Sequence, residues 1–164
     1  MPFAYTTNLN AVVQALTDAN TTTASPYLST GLTRKVVTVR SGDPELESLQ
    51  PRDLPMVLVR VNRKDEEAAG LGETGPTGVR KFASVVYDIF GIYLREGVYG
   101  LERSHRTEIY ALASNIEGVF QKEMQLSNTA LWCHPASSEF QTFQNEGEAV
   151  KGVLISLQAR YLFR

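Results

Sequence analysis

Three side chains are candidates for nucleophilic or metal chemistry: Cys133, His134 and His105. His134 directly follows Cys133, and neighbours in a strand point to opposite faces, which is poor geometry for a metal pair or a Cys–His couple. Neither histidine belongs to an H-x-x-H or H-E-x-x-H motif. A nucleophilic Cys133 would also need a base and an oxyanion hole, and no motif indicates either. We therefore interpret Cys133 as a core thiol, and we expect no catalytic, cofactor-binding or metal-binding residues.

Residues 70–75 (GLGETG) have the glycines of a phosphate-binding loop but not its Gly-Lys-Ser/Thr ending, and a strand pattern follows them instead of a helix. A flexible loop is the interpretation we favour. Asp65, Glu66 and Glu67 could bind a divalent ion, but a charged run beside a hairpin loop is usually a solvated patch. Residues 65–78 therefore predict a flexible hairpin loop, which at this length is either disordered or functional.

The composition describes an ordinary globular chain of 164 residues with a net charge of −2, which fits one domain, 1–164. The basic cluster at Arg34, Lys35 and Arg40 is too small for a sequence-independent nucleic-acid binder. A single cysteine excludes an internal disulfide and fits a reducing compartment best, although a secreted protein without disulfides would also have this composition. We see no signal-peptide pattern and no run near the roughly 18 apolar residues of a membrane helix. We therefore expect no membrane partner and a protein used in the cytoplasm or assembled there into something larger.

Two segments predict amphipathic helices, residues 8–19 and 104–125, because apolar side chains recur in both at spacings of three and four. These side chains are Leu9, Val12, Val13 and Leu16 in the first segment, and Ile109, Leu112, Ile116, Val119 and Phe120 in the second. Thr7 or Asn8 is placed to cap the first helix.

Alternating or β-branched patterns predict strands in six segments. They are residues 35–40, 56–63, 79–95, 129–133, 139–143 and 149–163. Residues 79–95 are apolar on both faces, so we expect the core on one face and a helix or another subunit on the other, with a bulge or bend at Gly91. Residues 41–55 read as a loop that can hold a helical turn at 45–50. The order of elements predicts an α+β fold with a mainly antiparallel sheet and a long β-hairpin, flanked by an N-terminal and a central helix.

The order of elements ends with the central helix, which contains residues 107–116 (TEIYALASNI), and an amphipathic last strand, which contains residues 150–161 (VKGVLISLQARY). The arrangement resembles the tail terminator (tail-completion) proteins of long-tailed bacteriophages and, more loosely, phage neck proteins. The resemblance implies a structural virion protein at the head–tail junction, a hexameric ring that caps the tail tube and contacts the neck or head-completion protein. DNA would pass through its lumen without sequence-specific binding. The glycine-rich residues 67–78 match no feature of that family.

A closed ring needs two different complementary patches on each subunit. We expect these patches at the edge strand 56–63 and the helix 104–125, and an acidic tip at Asp65, Glu66 and Glu67 would repel DNA phosphates. We choose six candidate interface residues because their positions along the predicted strands and helix should place their side chains on the surface. They are Arg60, Lys81, Tyr87, Tyr93, Glu108 and Arg160.

Other interpretations stay open. A tail-tube, neck or baseplate-type subunit would share the long hairpin, but a tube protein would polymerise into fibres. A small ligand-binding or enzyme domain would need Cys133 or a buried carboxylate in an apolar pocket, and Asp88, Glu108 and Glu117 are the carboxylates we consider. Aromatic side chains on the strands could also stack on single-stranded nucleic acid, although without a basic groove they are more typical of a core.

Overall fold

A computed structural model of the chain describes residues 2–44, 49–68, 80–95, 105–145 and 148–163. Its elements, in chain order, are α1 (Tyr5–Ala19), β1 (Thr38–Ser41), a 3₁₀ turn (Pro51–Asp53), β2 (Met56–Ala68), β3 (Lys81–Arg95), α2 (His105–Lys122), β4 (Trp132–Asn145) and β5 (Glu148–Phe163). Two helices beside a mostly antiparallel five-stranded sheet confirm the α+β class. Neither of these helices combines the length and the hydropathy that crossing a bilayer requires.

The strands lie in the order β1-β2-β3-β5-β4. β1 runs parallel to β2, and every other neighbouring pair is antiparallel. β2 and β3 pair from Met56 with Ile92 to Ala68 with Lys81, which makes the predicted long hairpin. β5 lies between β3 and β4, so β1 and β4 are the two edges of the sheet that the described residues form.

The main core lies between the two helices and one face of the sheet, which we call the helix face. Alternate residues of each central strand point into it, as the period of two along a strand requires. From the helices it receives Val12, Leu16, Leu112, Ile116 and Phe120, and from the sheet Val57, Val59, Val85, Tyr87, Ile89, Val153, Ile155 and Leu157. Burial of these side chains is the main contribution to folding, at about 1.5–3 kcal/mol for each large aliphatic residue.

A second, smaller core covers one end of the opposite face, which we call the second face. Leu49 and Leu54, from the segment before β2, pack there on Met56, Leu58 and Phe90. Both faces of β3 are therefore covered over this end, as predicted. The cover on the second face is a loop of the same chain and not the helix or second subunit that was expected.

Gly91 is not the predicted bulge. It pairs regularly with Val57 and Val153, and the irregularity in β3 lies between Ile92 and Leu94. A Cβ built at Gly91 would lie 2.9 Å from Val153 Cγ1 and 3.1 Å from Leu112 Cδ2. The glycine is needed because α2 packs directly on the strand at this point.

The first helix begins earlier than predicted, at Tyr5, and no side chain caps it. Asn8 is a buried residue inside the helix and not its cap. The reason is tertiary: the ring of Phe3 packs edge-on against Tyr161 and Phe163, with centroids 5.4 Å apart in both pairs. This contact holds the chain entering α1 on the end of the sheet.

The two strands predicted at 129–133 and 139–143 form one strand, β4, with an irregularity between Pro135 and Ser137. An edge strand tolerates a proline because its missing N–H need not serve a second neighbour. The turn out of α2, in which Leu126, Ser127 and Asn128 take positive φ values of 47°, 54° and 67°, continues through Thr129. The strand therefore begins at Trp132 and not at residue 129.

The hairpin loop predicted at 65–78 begins later than expected. Asp65, Glu66, Glu67 and Ala68 belong to β2 and pair with β3, because β2 is 13 residues long and extends past the predicted end at residue 63. The remainder of that loop, residues 69–78, lies outside the described residues, as do residues 45–48 of the predicted helical turn.

Candidate interaction surfaces

Cys133 is a structural thiol. Its side chain points into the helix-face core, and its Sγ donates to the carbonyl oxygen of Glu123 at 3.4 Å. Burial raises the pKa of the thiol to about 12, so the nucleophilic thiolate is scarce at neutral pH. His134 is exposed and lies beside Trp132, with ring centroids 5.1 Å apart. The alternation along β4 thus separates Cys133 from His134 as expected.

The acidic residues at the end of β2 face cations. Arg63 Nε lies 3.0 Å from Asp65 Oδ2, and Lys81 Nζ lies 3.3 Å from Glu66 Oε2. Glu67 is paired with Arg160. Within the described ranges no group of three His, Cys, Asp or Glu side chains could hold a metal ion. The acidic residues therefore form separate surface ion pairs along the strand and not an uncompensated acidic tip.

Two of the predicted interface residues are buried, which corrects the prediction. Tyr87 and Tyr93 both lie in the helix-face core. Tyr87 Oη shares a hydrogen bond of 2.8 Å with Tyr161 Oη, and Tyr93 Oη donates to Glu108 Oε2 at 2.6 Å. The parity argument failed because β3 is apolar on both faces, so the sequence pattern did not distinguish the inward face.

The carboxylates considered for catalysis have structural contacts. Glu108 also accepts the backbone N–H of Thr33 at 2.6 Å, which ties the start of α2 to the segment before β1. Glu117 accepts a hydrogen bond from Ser138 Oγ and joins α2 to β4. Both carboxylate oxygens of Glu108 thus have a partner, and so does Oε1 of Glu117.

The second face holds a charged cluster around Asp88. Asp88 is 2% exposed, and its carboxylate accepts hydrogen bonds from Arg60 Nε at 3.1 Å and Asn62 Nδ2 at 3.0 Å. Arg60 also pairs with Asp43 and lies 4.9 Å above the ring of Phe90. Burial opposes the charge of Arg60, but the hydrogen bonds to both carboxylates outweigh it and raise the pKa of the guanidinium. Arg60 is thus a link between β2, β3 and the loop after β1, which the sequence did not indicate.

The remaining interface candidates, Lys81 and Arg160, each belong to one of these surface ion pairs. Lys81 is exposed and contacts Glu66, and the guanidinium of Arg160 lies 4.4 Å from the centroid of Phe82 while it pairs with Glu67. Lys81 and Arg160 are therefore close to the acidic residues and far along the sheet from the Asp88 cluster. At this end the structure brings four of the nine predicted positions into two separate pairs, Glu66 with Lys81 and Glu67 with Arg160.

The β4 edge carries an exposed aromatic pair that sequence reasoning missed. The rings of Tyr110, from α2, and Phe140, from β4, meet edge to face with centroids 4.7 Å apart, and each side chain is 51% exposed. Beside them lies a cavity of about 250 Å³. It is lined by Ile109, Tyr110, Phe140, Gln141, Thr142, Lys151 and Gly152. Pro135 was the available signal, because a proline within a strand pattern indicates an edge strand.

A second cavity, of about 370 Å³, lies where α1 and α2 end. Its wall is apolar at Ala19, Pro26 and Val119, and Lys122 at its rim donates to the carbonyl oxygen of Ser25. The volume suits a small ligand, but the lining holds no nucleophile–base pair, so the geometry does not indicate a reaction.

No protein-family model matches the sequence, and the search of curated proteins gives no significant match.

Proposed function

We propose that this chain is a structural subunit of a bacteriophage virion, a tail terminator that forms a ring at the head–tail junction and caps the tail tube. The observation that carries the proposal is the pair of edge strands, β1 and β4, on opposite sides of the sheet that the described residues form, in a chain whose element order resembles that family. Each subunit of a closed ring must present two different patches, and an open sheet with an exposed edge strand on each side supplies them.

The contact surfaces that we now propose differ from those expected from the sequence. The strand predicted as an edge, residues 56–63, is covered by β1 from Met56 to Val59, so β1 takes its place as the edge. The second patch lies on β4 and the adjoining side of α2, where Phe140 and Tyr110 are exposed. Aromatic side chains are enriched in the centres of protein interfaces, which supports this assignment.

The proposed role is non-enzymatic. Within the described residues, Cys133 is buried, Glu108 and Glu117 hold elements together, and Asp88 is engaged by Arg60 and Asn62. The partners we propose are further copies of the chain, the tail tube protein and the neck or head-completion protein. DNA would pass the ring without being gripped, which the net charge of −2 supports, although the paired residues at 65–67 do not add a repulsive tip.

Native mass spectrometry over a concentration series, with and without assembled tail tube, tests the proposal. We expect one closed species of about six subunits, or monomers that form it when tube is added. Electron microscopy of the mixture should show density at tube ends alone. A monomer that ignores the tube at every concentration would contradict the proposal.

The two alternatives predict different results in the same samples. A tail-tube protein would grow fibres of increasing length instead of stopping at one ring. A ligand-binding domain would stay monomeric, and a thermal-shift screen with nucleotides, metals and metabolites would raise its melting temperature reproducibly. The cavity beside Val119 is where such a ligand would be sought.

A further inference from the structure

The two edge strands run in opposite directions. β1 is parallel to β2, and β2, β3, β5 and β4 alternate in direction across the sheet. A second copy placed beside β4 in the same orientation therefore presents its β1 antiparallel to β4. Antiparallel pairing is the more stable kind and needs no change of either strand.

The two edges also stand at the same height in the sheet. Following the paired residues from strand to strand, Val39 lies level with Phe140, and Arg40 lies level with Glu139. The residues between them are Val57, Gly91 and Val153 in the first row, and Leu58, Phe90 and Leu154 in the second. The whole of β1, Thr38–Ser41, corresponds to residues 138–141 of β4.

Residues at the same height lie on the same face. Val39 packs against the helix-face core, and Phe140 contacts Tyr110 of α2 on that face. Arg40 and Glu139 alternate with them, lie on the second face and are exposed. A neighbouring copy would thus set valine against phenylalanine on one face and arginine against glutamate on the other. Both are favourable cross-strand pairs.

Val37 adds a third contact. It is 56% exposed, and its N–H donates to the carbonyl oxygen of Pro55 at 2.8 Å, so it continues β1 by one residue on the helix face. Thr142 lies two residues after Phe140 in β4, on the same face, and lines the cavity of about 250 Å³. Val37 of a neighbour would therefore reach this cavity beside Phe140.

The part of β4 that is interrupted by a proline and a register shift lies outside residues 138–141, which would pair with β1 of a neighbouring copy. Edge strands usually carry prolines or bulges that prevent pairing with other chains. Here Pro135 and the irregularity before Ser137 interrupt β4 just short of residues 138–141. Residues 138–141, which β1 of a neighbouring copy would cover, therefore lie in the regular part of β4.

We propose that copies of this chain join by continuing the sheet, with β1 of one copy antiparallel to residues 138–141 of the next. Arg40 pairs with Glu139 and Val39 contacts Phe140 across the boundary, and Val37 enters the cavity beside Thr142. The contact is heterologous, so it repeats from copy to copy, and it rests on the proposed function only for the closure of these repeats into a ring.

Charge reversal tests the ion pair. R40E and E139R alone should each weaken self-association at least tenfold in analytical ultracentrifugation, since like charges then face each other, and the double variant R40E/E139R should recover most of it. The matched control is R63E, on an exposed arginine of β2 that lies outside the contact. Unchanged association in both single variants, or failure of the double variant to recover, would overturn the assignment.

Disulfide trapping tests the register. In a C133A background, V39C/F140C should give covalent oligomers of increasing size on oxidation, because directly opposed strand residues lie within disulfide range. The single variants should give none, and a mixture of the two singles should stop at dimers. Dimers from F140C alone would mean that β4 pairs with β4 of another copy, which overturns the proposal.

The outcomes separate this contact from the proposed function. A ring that persists in native mass spectrometry, with no cross-link and no effect of charge reversal, overturns the sheet continuation and leaves the terminator role in place. Repeating cross-linked oligomers that ignore tail tube support the contact and count against the terminator role. A protein that stays monomeric at millimolar concentration both with and without tail tube overturns both.

Discussion

The carboxylate of Asp88 and the guanidinium of Arg60 form a hydrogen-bonded ion pair, 3.1 Å from Nε to Oδ2, on the second face of the sheet. Asp88 is almost fully buried, whereas the Arg60 side chain is 38% exposed and reaches Asp43 in the loop after β1. The pair thus fastens that loop to the sheet and neutralises a carboxylate that would otherwise be buried without a countercharge.

Substitution of Arg60 should show how much the stability of the fold depends on its ion pair with Asp88. We expect R60A to lower the free energy of unfolding by about 2 kcal/mol, less than the roughly 3–5 kcal/mol for a fully buried pair because solvent reaches the guanidinium. Urea denaturation gives the value. R63A is the control, because Arg63 and Asp65 are both exposed and should contribute under about 0.5 kcal/mol. Equal effects of the two substitutions would show that Asp88 does not need its partner.

Alkaline pH should destabilise the fold through Cys133 and Tyr87, whose pKa values burial raises to about 12 in both cases. Above about pH 9 the unfolded chain releases these protons while the folded chain keeps them, so the unfolded state binds fewer protons and stability falls as pH rises. Each such group contributes a slope of about 1.4 kcal/mol per pH unit once it has titrated in the unfolded chain alone.

Urea denaturation between pH 7 and pH 11 measures this slope. Below pH 8 these two groups should not change the free energy of unfolding. Between pH 9 and pH 10 the free energy of unfolding of C133A should fall less steeply with pH than that of the parent protein. Native Cys133 should also resist a thiol reagent at pH 8 until denaturant is added. Rapid labelling of the folded protein would contradict the assigned burial.

Two glycines give a matched test of how closely α2 approaches the sheet. We expect G91A to cost about 1–3 kcal/mol, because its Cβ would lie 2.9 Å from Val153 and 3.2 Å from Ile116. G118A should instead stabilise by up to about 1 kcal/mol, because Gly118 lies within α2 and a Cβ there would meet Pro26 at an ordinary 3.6 Å. Thermal unfolding of both variants measures these changes in stability. If G91A has the stability of the parent protein, α2 can move away from the sheet to make room for the added methyl group.

Phe140 should matter more for association than for folding. We expect F140S to reduce self-association at least tenfold and to lower stability by about 1 kcal/mol, the value of one aromatic pair. L162S is the control, because Leu162 is similarly exposed but lies on the second face of β5, away from the β4 edge. Sedimentation velocity distinguishes them. Loss of association in L162S alone would place the interface on the second face.

Much of the fold could be predicted from local pattern. The stripe of Leu112, Ile116 and Phe120 is read from spacing alone, because a helix repeats every 3.6 residues. The alternation along residues 149–163 likewise predicted a strand with one inward face, and Val153, Ile155 and Leu157 are buried there. Boundaries were less accurate where a distant contact decides them, as Phe3 does for α1.

The surfaces were harder to predict, because they depend on which strands become neighbours. Tyr87 and Tyr93 were expected at an interface and are buried, since β3 is the strand whose two faces look alike in sequence. Glu66 and Glu67 were expected in a loop and pair with Lys81 and Arg160 across strands. Pairing partners many residues apart are not encoded in any short stretch of sequence.

The sequence by itself determined the α+β class, the helix and strand periodicities and the separation of Cys133 from His134, because these follow from backbone geometry over a few residues. Only the tertiary structure decided that β1 and β4 are the edges, that Arg40 stands level with Glu139, and that Asp88 is enclosed by Arg60 and Asn62. Each of these depends on strand order and register, which are set by how the whole chain packs and not by local preference.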